Sequence, residues 1–257
     1  MDQELFQFLS LPTETEELLR RANSVTFAHT AEDLENAACG SPENDSWEVS
    51  YILPDGRNVL EAEVVRVKNG VSANYSEAYM RRRDPNCLYV ADNKPTDKPK
   101  FDDNFPFTFS DIRKESFEWL AGRDLAVFAF EMGRPGIGGE AIAICPANAG
   151  FFALGLSILQ GVIDIRNLET VFKPSLIIYV VPPLRHTRFD GKQVVAHNRG
   201  EVHEIFSYNL YPGPSAKKGV YGALIELGEQ QGWVTAHCSA VQVVTPYDNI
   251  VSFMHEG

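Results

Sequence analysis

The sequence predicts an α/β protein, a mixed sheet with flanking helices, and three features predict it. Two short apolar runs, residues 125–130 and 176–181, have the length and unbroken hydrophobicity of strands covered on both faces. Segments with helical spacing of apolar residues lie before, between and after these runs, at 110–120, 150–159 and 219–228. Residues 47–53 and 59–67 alternate apolar with polar side chains around Pro54-Asp55-Gly56-Arg57, the pattern of a β-hairpin. With 257 residues the chain can bury a substantial core, as one large domain or two small ones.

Taken in order, residues 12–21 set Leu18 and Leu19 among threonines and glutamates behind Thr13-Glu14-Thr15-Glu16, which predicts a capped surface helix. The hairpin follows, closed by a Lys68-Asn69-Gly70 turn. Residues 81–103 mix arginine, proline, lysine and aspartate around Cys87-Leu88-Tyr89-Val90, a polar loop flanking a short strand. The helix at 110–120 has Ser110 or Asp111 as its cap and Ile112, Phe117 and Leu120 as its apolar contacts. After the first buried strand, Gly136, Gly138 and Ala141 satisfy the loose dinucleotide fingerprint. Five residues separate that strand from Gly136, however, and Pro146 would break the helix that must receive the pyrophosphate. A glycine-lined loop near an anion is the better reading, with nicotinamide or flavin binding as its competitor. Residues 150–159 predict a buried helix, and Pro182-Pro183 ends the second buried strand. Arg185-His186-Thr187-Arg188 forms a polar connection, and residues 202–210 lead back to Tyr211. His186, His197 and His203 are spaced too irregularly for a metal cluster on one helix, so each reads as a surface or hydrogen-bonded histidine.

Composition narrows the function. A 44% hydrophobic and 23% charged chain is an ordinary globular one. The net charge of -12 argues against nucleic acid, since the longest basic block is Arg81-Arg82-Arg83. The most apolar stretch, residues 141–165, is interrupted by Pro146, Asn148, Gln160 and Asp164, which predicts a buried segment and no membrane association. Cys39, Cys87, Cys145 and Cys238 have no Cys-x-x-Cys spacing, so free thiols in a reducing cytosol are expected. The N-terminus lacks the basic and apolar regions of a secretion signal, which also fits a cytoplasmic protein.

The stretch with the look of a site is Tyr211-Pro212-Gly213-Pro214-Ser215-Ala216-Lys217-Lys218-Gly219. Its prolines and glycine fix a turn that a ligand can approach, and Lys217 and Lys218 sit where a helix begins, so two ammonium groups and free N–H groups can face one anion. A strand-like run then delivers His237. The same residues also fit a turn, a solvated lysine pair and a packed histidine.

The run Lys217-Lys218-Gly219-Val220-Tyr221, then Trp233-Val234-Thr235-Ala236-His237-Cys238-Ser239-Ala240, then Ile250-Val251-Ser252-Phe253, resembles phosphoenolpyruvate carboxykinase. In that family a Lys-Lys-Gly helix start, a Met-His-Cys-Ser-Ala strand and a hydrophobic strand leading into the kinase P-loop come in this order. Phe172-Lys173-Pro174-Ser175-Leu176-Ile177-Ile178 is similar to the family's Phe-Lys-Pro-Asp-Phe-Ile-Val, and Arg82-Arg83-Asp84-Pro85 to its Gly-Arg-Ser-Pro. The resemblance implies a substrate-side N-terminal lobe over residues 1–232 and the first strands of a nucleotide-binding lobe over 233–257. It further implies Lys218 and His237 as ligands of Mn2+; an ammonium has no lone pair, so this role requires a neutral amine at Lys218. Arg83 would clamp the substrate's carboxylate or phosphate with its planar fork, with Arg82 as the alternative because Asp84 stands where the family has serine. Tyr211, Gly213 and Lys217 would line the substrate pocket, with a one-residue insertion before Lys217. The implied substrate is a small anionic carboxylate such as oxaloacetate or phosphoenolpyruvate. ATP or GTP would be read by Gly-x-x-x-x-Gly-Lys-[Ser/Thr], which is absent through Gly257. The expected partner is therefore a C-terminal nucleotide-binding lobe of the same protein, and the chain alone is expected to be inactive. Two other readings stand beside this one: a non-catalytic anion-binding or regulatory domain with the same fold, and a nicotinamide-dependent oxidoreductase using the Gly136 loop.

Overall fold

The computed structural model describes residues 5–76, 84–133, 138–209, 217–236 and 238–256. The first half runs α1 (Thr13–Arg21), β1 (Ser24–Ala28), α2 (Ala31–Ala38), β2 (Ser46–Ile52), β3 (Asn58–Val67), β4 (Gly70–Tyr75), β5 (Leu88–Val90) and α3 (Phe109–Ala121). The second half runs β6 (Asp124–Met132), β7 (Gly139–Pro146), α4 (Gly150–Gln160), β8 (Leu176–Val180), α5 (Leu184–Arg188), β9 (Val195–Arg199), β10 (His203–Ser207) and α6 (Lys218–Gln230). A hairpin, β11 (Cys238–Val244) and β12 (Ile250–Glu256), closes the described chain.

The fold is α/β. Its centre is a seven-stranded mixed sheet in the order β1-β6-β7-β8-β10-β9-β5. Strands β7, β8 and β10 run parallel to one another, while β6 is antiparallel to β7 and β9 antiparallel to β10. The predicted strands at 125–130 and 176–181 are β6 and β8. Both are covered on two sides, as their unbroken apolar runs require: Ala126, Phe128, Phe130 and Leu176, Ile178, Val180 face one core. Leu125, Val127, Ala129 and Ile177, Tyr179 face the other.

Helices α2 and α4, part of α6 and the three-stranded sheet β2-β3-β4 pack on the first face. Helices α1 and α3 and the Phe101 loop pack on the second. α1 is more than a surface helix: Leu18 and Leu19 are buried, and Thr15 Oγ1 lies 2.7 Å from Tyr179 Oη in the interior. Its N-cap is Pro12 with no side-chain cap bond. α3 starts one residue earlier than its sequence suggests because Thr108 is the N-cap, and Asp111 completes a capping box from the N3 position. α4 meets α2 so closely that a Cβ on Gly150 would stand 2.5 Å from the Ala37 carbonyl carbon.

The predicted hairpin is β2–β3, and Gly70 leads into a third strand, β4. Residues 139–146 form β7, antiparallel to β6, so Gly138 and Ala141 introduce a strand and no helix N-terminus follows them. The dinucleotide fingerprint thus lacks its receiving helix. Gly136 lies outside the described residues. None of the four cysteines forms a disulfide among the described residues. No described helix is long and apolar enough to cross a membrane.

Candidate functional site

In α/β sheets, ligands bind beyond the carboxyl ends of the parallel strands. Those ends lie here at Pro146, Val180 and Ser207. Past Val180 the chain turns at Pro182-Pro183 into α5, and past Ser207 it runs through Asn209 toward residues 210–216 and the start of α6.

The floor of this edge is an ion pair formed by Glu61 and Arg185, both with no side-chain exposure. Arg185 Nη2 donates to Glu61 Oε1 at 3.0 Å and Oε2 at 2.8 Å, and His186 Nε2 lies 3.1 Å from Oε1. A β-bulge carries Glu61 inward. Val49 pairs with Ala62 and Ser50 with Leu60, leaving Glu61 as the extra residue of β3 and turning its side chain off the strand's alternation. Beside the pair, Ser207 Oγ donates to Asn209 O at 2.8 Å. The Asn209 side chain is fully buried, yet neither of its amide atoms has a partner among the described residues. A buried amide without partners costs free energy, so Asn209 marks a place where polar chemistry is kept at the expense of packing.

Lys217 is exposed and Lys218 half-buried at the start of α6, with Lys218 Nζ 5.7 Å from the centroid of the Tyr221 ring. Lys217 is itself in helical conformation, and among the described residues its side chain forms no cap bond. One turn further on, Gly222 lies over His197: a Cβ there would stand 3.7 Å from the ring. His197 Nδ1 and His203 Nε2 are 3.0 Å apart in the interior. Burial, then the neighbouring charges of His203 and Arg199, hold His197 down to about 3, and burial holds His203 down to about 4, so the pair is neutral at pH 7 and shares one hydrogen bond. Arg199, Asp92, Glu226 and Lys94 surround the pair. Burial would raise Asp92, but the Arg199 guanidinium and the N–H groups of Arg199 and Lys94 outweigh it and bring the carboxyl down to about 2.

Of the sequence-predicted site residues, Lys217 and Lys218 stand together in the first described turn of α6. Arg83, Tyr211, Gly213 and His237 lie outside the described residues, as does Arg82. The described neighbours of Arg83 are anchored beside the buried pair: the Ser76 N–H donates to Glu61 O at 3.3 Å, and the Asp84 N–H to Gln193 Oε1 at 3.1 Å. The described neighbours of His237 lie toward the far end of α6, where Thr235 packs on Gly228, ten residues and roughly 15 Å of helix rise from Lys218. Among the described residues no group of three or more histidines, cysteines and acids could hold a metal.

Sequence reasoning missed Glu61, Arg185 and Asn209. A usable signal was Arg185 itself, a charged residue directly after Pro182-Pro183-Leu184 at the end of a buried strand. No comparable signal exists for Glu61, which alternates with Glu63 as a solvent-facing residue would.

The chain belongs to the family described as a domain of unknown function (DUF4914), which matches residues 11–257. No curated protein matches it.

Proposed function

We propose that this chain is the substrate-side part of a metal- and nucleotide-dependent enzyme acting on a small anionic carboxylate, of the phosphoenolpyruvate carboxykinase type. The observation that supports the reading is the Lys217-Lys218 pair in the first described turn of α6, the helix that follows β10 in the chain. That is the location expected for an oxyanion in an α/β sheet. The buried Glu61–Arg185 pair and the isolated Asn209 amide support it, because polar groups are retained there against their desolvation cost.

In this reading Lys217 and the first N–H groups of α6 hold the substrate's oxyanion, and Arg83 clamps its second acidic group. Tyr211 and Gly213 shape the pocket. Lys218 and His237 hold Mn2+, which when bound would polarise the substrate's oxygen atoms. The nucleotide would be held by a C-terminal lobe following residues 233–257. The reading carries a geometric demand: the segment bearing His237 must approach the helix start when metal and acid are present.

Titration of the chain with Mn2+ in the presence of oxalate, followed by the electron paramagnetic resonance of free Mn2+, tests it. The expected result is a single site weakened at least tenfold in both Lys218→Ala and His237→Ala. Binding unchanged in either variant contradicts the assignment.

A further inference from the structure

A cleft lined in part by Pro146 and Pro183 opens on the same strand-end edge of the sheet, toward β1. It has a volume of about 840 Å3 and opens between α2, the start of β2, the β1 edge of the central sheet and the C-terminal end of α3. Neither Lys217, Lys218, Glu61 nor Arg185 lines it. We propose that this cleft is a second binding site, for a small aromatic anion: a flat ring carrying one carboxylate or phosphate group. The proposal does not rest on the carboxykinase-like reading.

The walls are aromatic and built for the purpose of presenting ring faces. Trp47 occupies the space left by Gly40, where an added Cβ would fall 2.0 Å from the indole carbons and where φ is +74°. Gly40 is thus required twice, for its backbone and for its missing side chain. Tyr51, on the same face of β2 as Trp47, and Trp119 also line the cleft, their ring centroids 6.1 Å apart. Tyr51 is fixed by its hydroxyl, 3.1 Å from Asn148 Oδ1. Three aromatic side chains in the lining and a volume of this size suit a planar ligand of mononucleotide size or smaller.

Arg123 is the cation the cleft offers to an anionic group. Arg123 lines the cleft with its guanidinium carbon 4.0 Å from the centroid of the Trp119 ring. Desolvation against that ring lowers its pKa, with the nearby Tyr51 phenol opposing the shift. In a chain of net charge -12, no carboxylate of the described residues pairs with it. The two acids that line the cleft are both engaged. Asp33 accepts the N–H groups of His29 and Thr30 as the capping-box carboxylate of α2, and Asp124 accepts the Ser24 hydroxyl at 2.6 Å. The remaining titratable wall residue, His29, has Nδ1 3.0 Å from Asp164 Oδ1. Arg123 is therefore the uncommitted charge of the site. A guanidinium stacked on an indole provides donors for an oxyanion next to faces for a ring.

The chain has three tryptophans, and Trp233 lies outside the cleft. Indole 15N–1H spectra therefore give two reporters and an internal control, assigned with Trp→Phe variants. The probes are 5′-AMP and 4-hydroxybenzoate, which distinguish a phosphate from a carboxylate source, with adenosine and inorganic phosphate as half-ligands. The expected result is that one of the two full probes shifts the Trp47 and Trp119 signals below millimolar concentration while Trp233 stays still. Adenosine and phosphate should bind at least tenfold more weakly. Arg123→Gln should weaken the full probe about tenfold or more, as loss of a charged hydrogen bond does, with an unchanged urea midpoint. The proposal is overturned if neither full probe shifts Trp47 at millimolar concentration, if Trp233 shifts equally, or if Arg123→Gln binds as tightly as the parent.

Discussion

Replacing Arg185 with methionine removes the counter-charge from a carboxylate that has no exposure to water. Glu61 would keep only His186 Nε2, at 3.1 Å, in place of two short bonds from the guanidinium. Breaking a buried pair by deleting one partner costs about 3–5 kcal/mol. A domain of this size loses roughly 2–4 °C of Tm per kcal/mol, so Arg185→Met should melt roughly 6–20 °C below the parent. Glu61→Leu should cost a comparable amount, because it leaves the guanidinium buried without its carboxylate. The double variant removes both charges and both desolvation penalties, so its loss should fall short of the sum by about 2 kcal/mol or more. Urea unfolding followed by circular dichroism measures all three. A single-variant loss below about 1 kcal/mol, or strict additivity in the double variant, would refute the description of the pair as a mutually dependent buried unit.

Two further outcomes follow from the packing and the buried histidines. Gly150→Ala should destabilise the protein by several kcal/mol, measured by the same unfolding experiment, because the new Cβ meets the Ala37 carbonyl carbon and oxygen at 2.5 and 2.6 Å, and backbone cannot step aside as a side-chain end can. His197 and His203 have folded-state pKa values of about 3 and about 4, below the ordinary 6.5. The unfolded chain therefore takes up protons first as the pH falls, and stability should drop between pH 6.5 and about 4 by up to roughly 1.4 kcal/mol per pH unit for each histidine. His203→Gln should flatten that slope, and an identical slope would show that the pair does not titrate this way.

What the residues reveal by themselves depends on how locally each feature is determined. β6 and β8 are legible because a strand buried on both faces must be apolar throughout. The β2–β3 hairpin is legible because its turn and alternation are local. β7 was hidden: Glu140-Ala141-Ile142-Ala143-Ile144-Cys145 carries small residues that suit helix and strand alike, and the glycines before it mimic a phosphate loop. β9 was hidden because Val195-Ala196-His197-Asn198-Arg199 is half polar, and its pairing with both β10 and β5 is a tertiary fact. The lysine pair could be placed at a helix start from sequence. The Glu61–Arg185 pair could not, since it joins residues 124 positions apart through a bulge that periodicity reads as an ordinary strand.

The central claim is that Lys218 and His237 share a metal beside an oxyanion held at the start of α6. A crystal grown with Mn2+ and oxalate, measured at the manganese absorption edge, tests it most directly. The account predicts one anomalous peak within bonding distance of both the Lys218 amine and the His237 imidazole, with oxalate against Lys217. A peak at another place, or one out of bonding reach of either the Lys218 amine or the His237 imidazole, would contradict it.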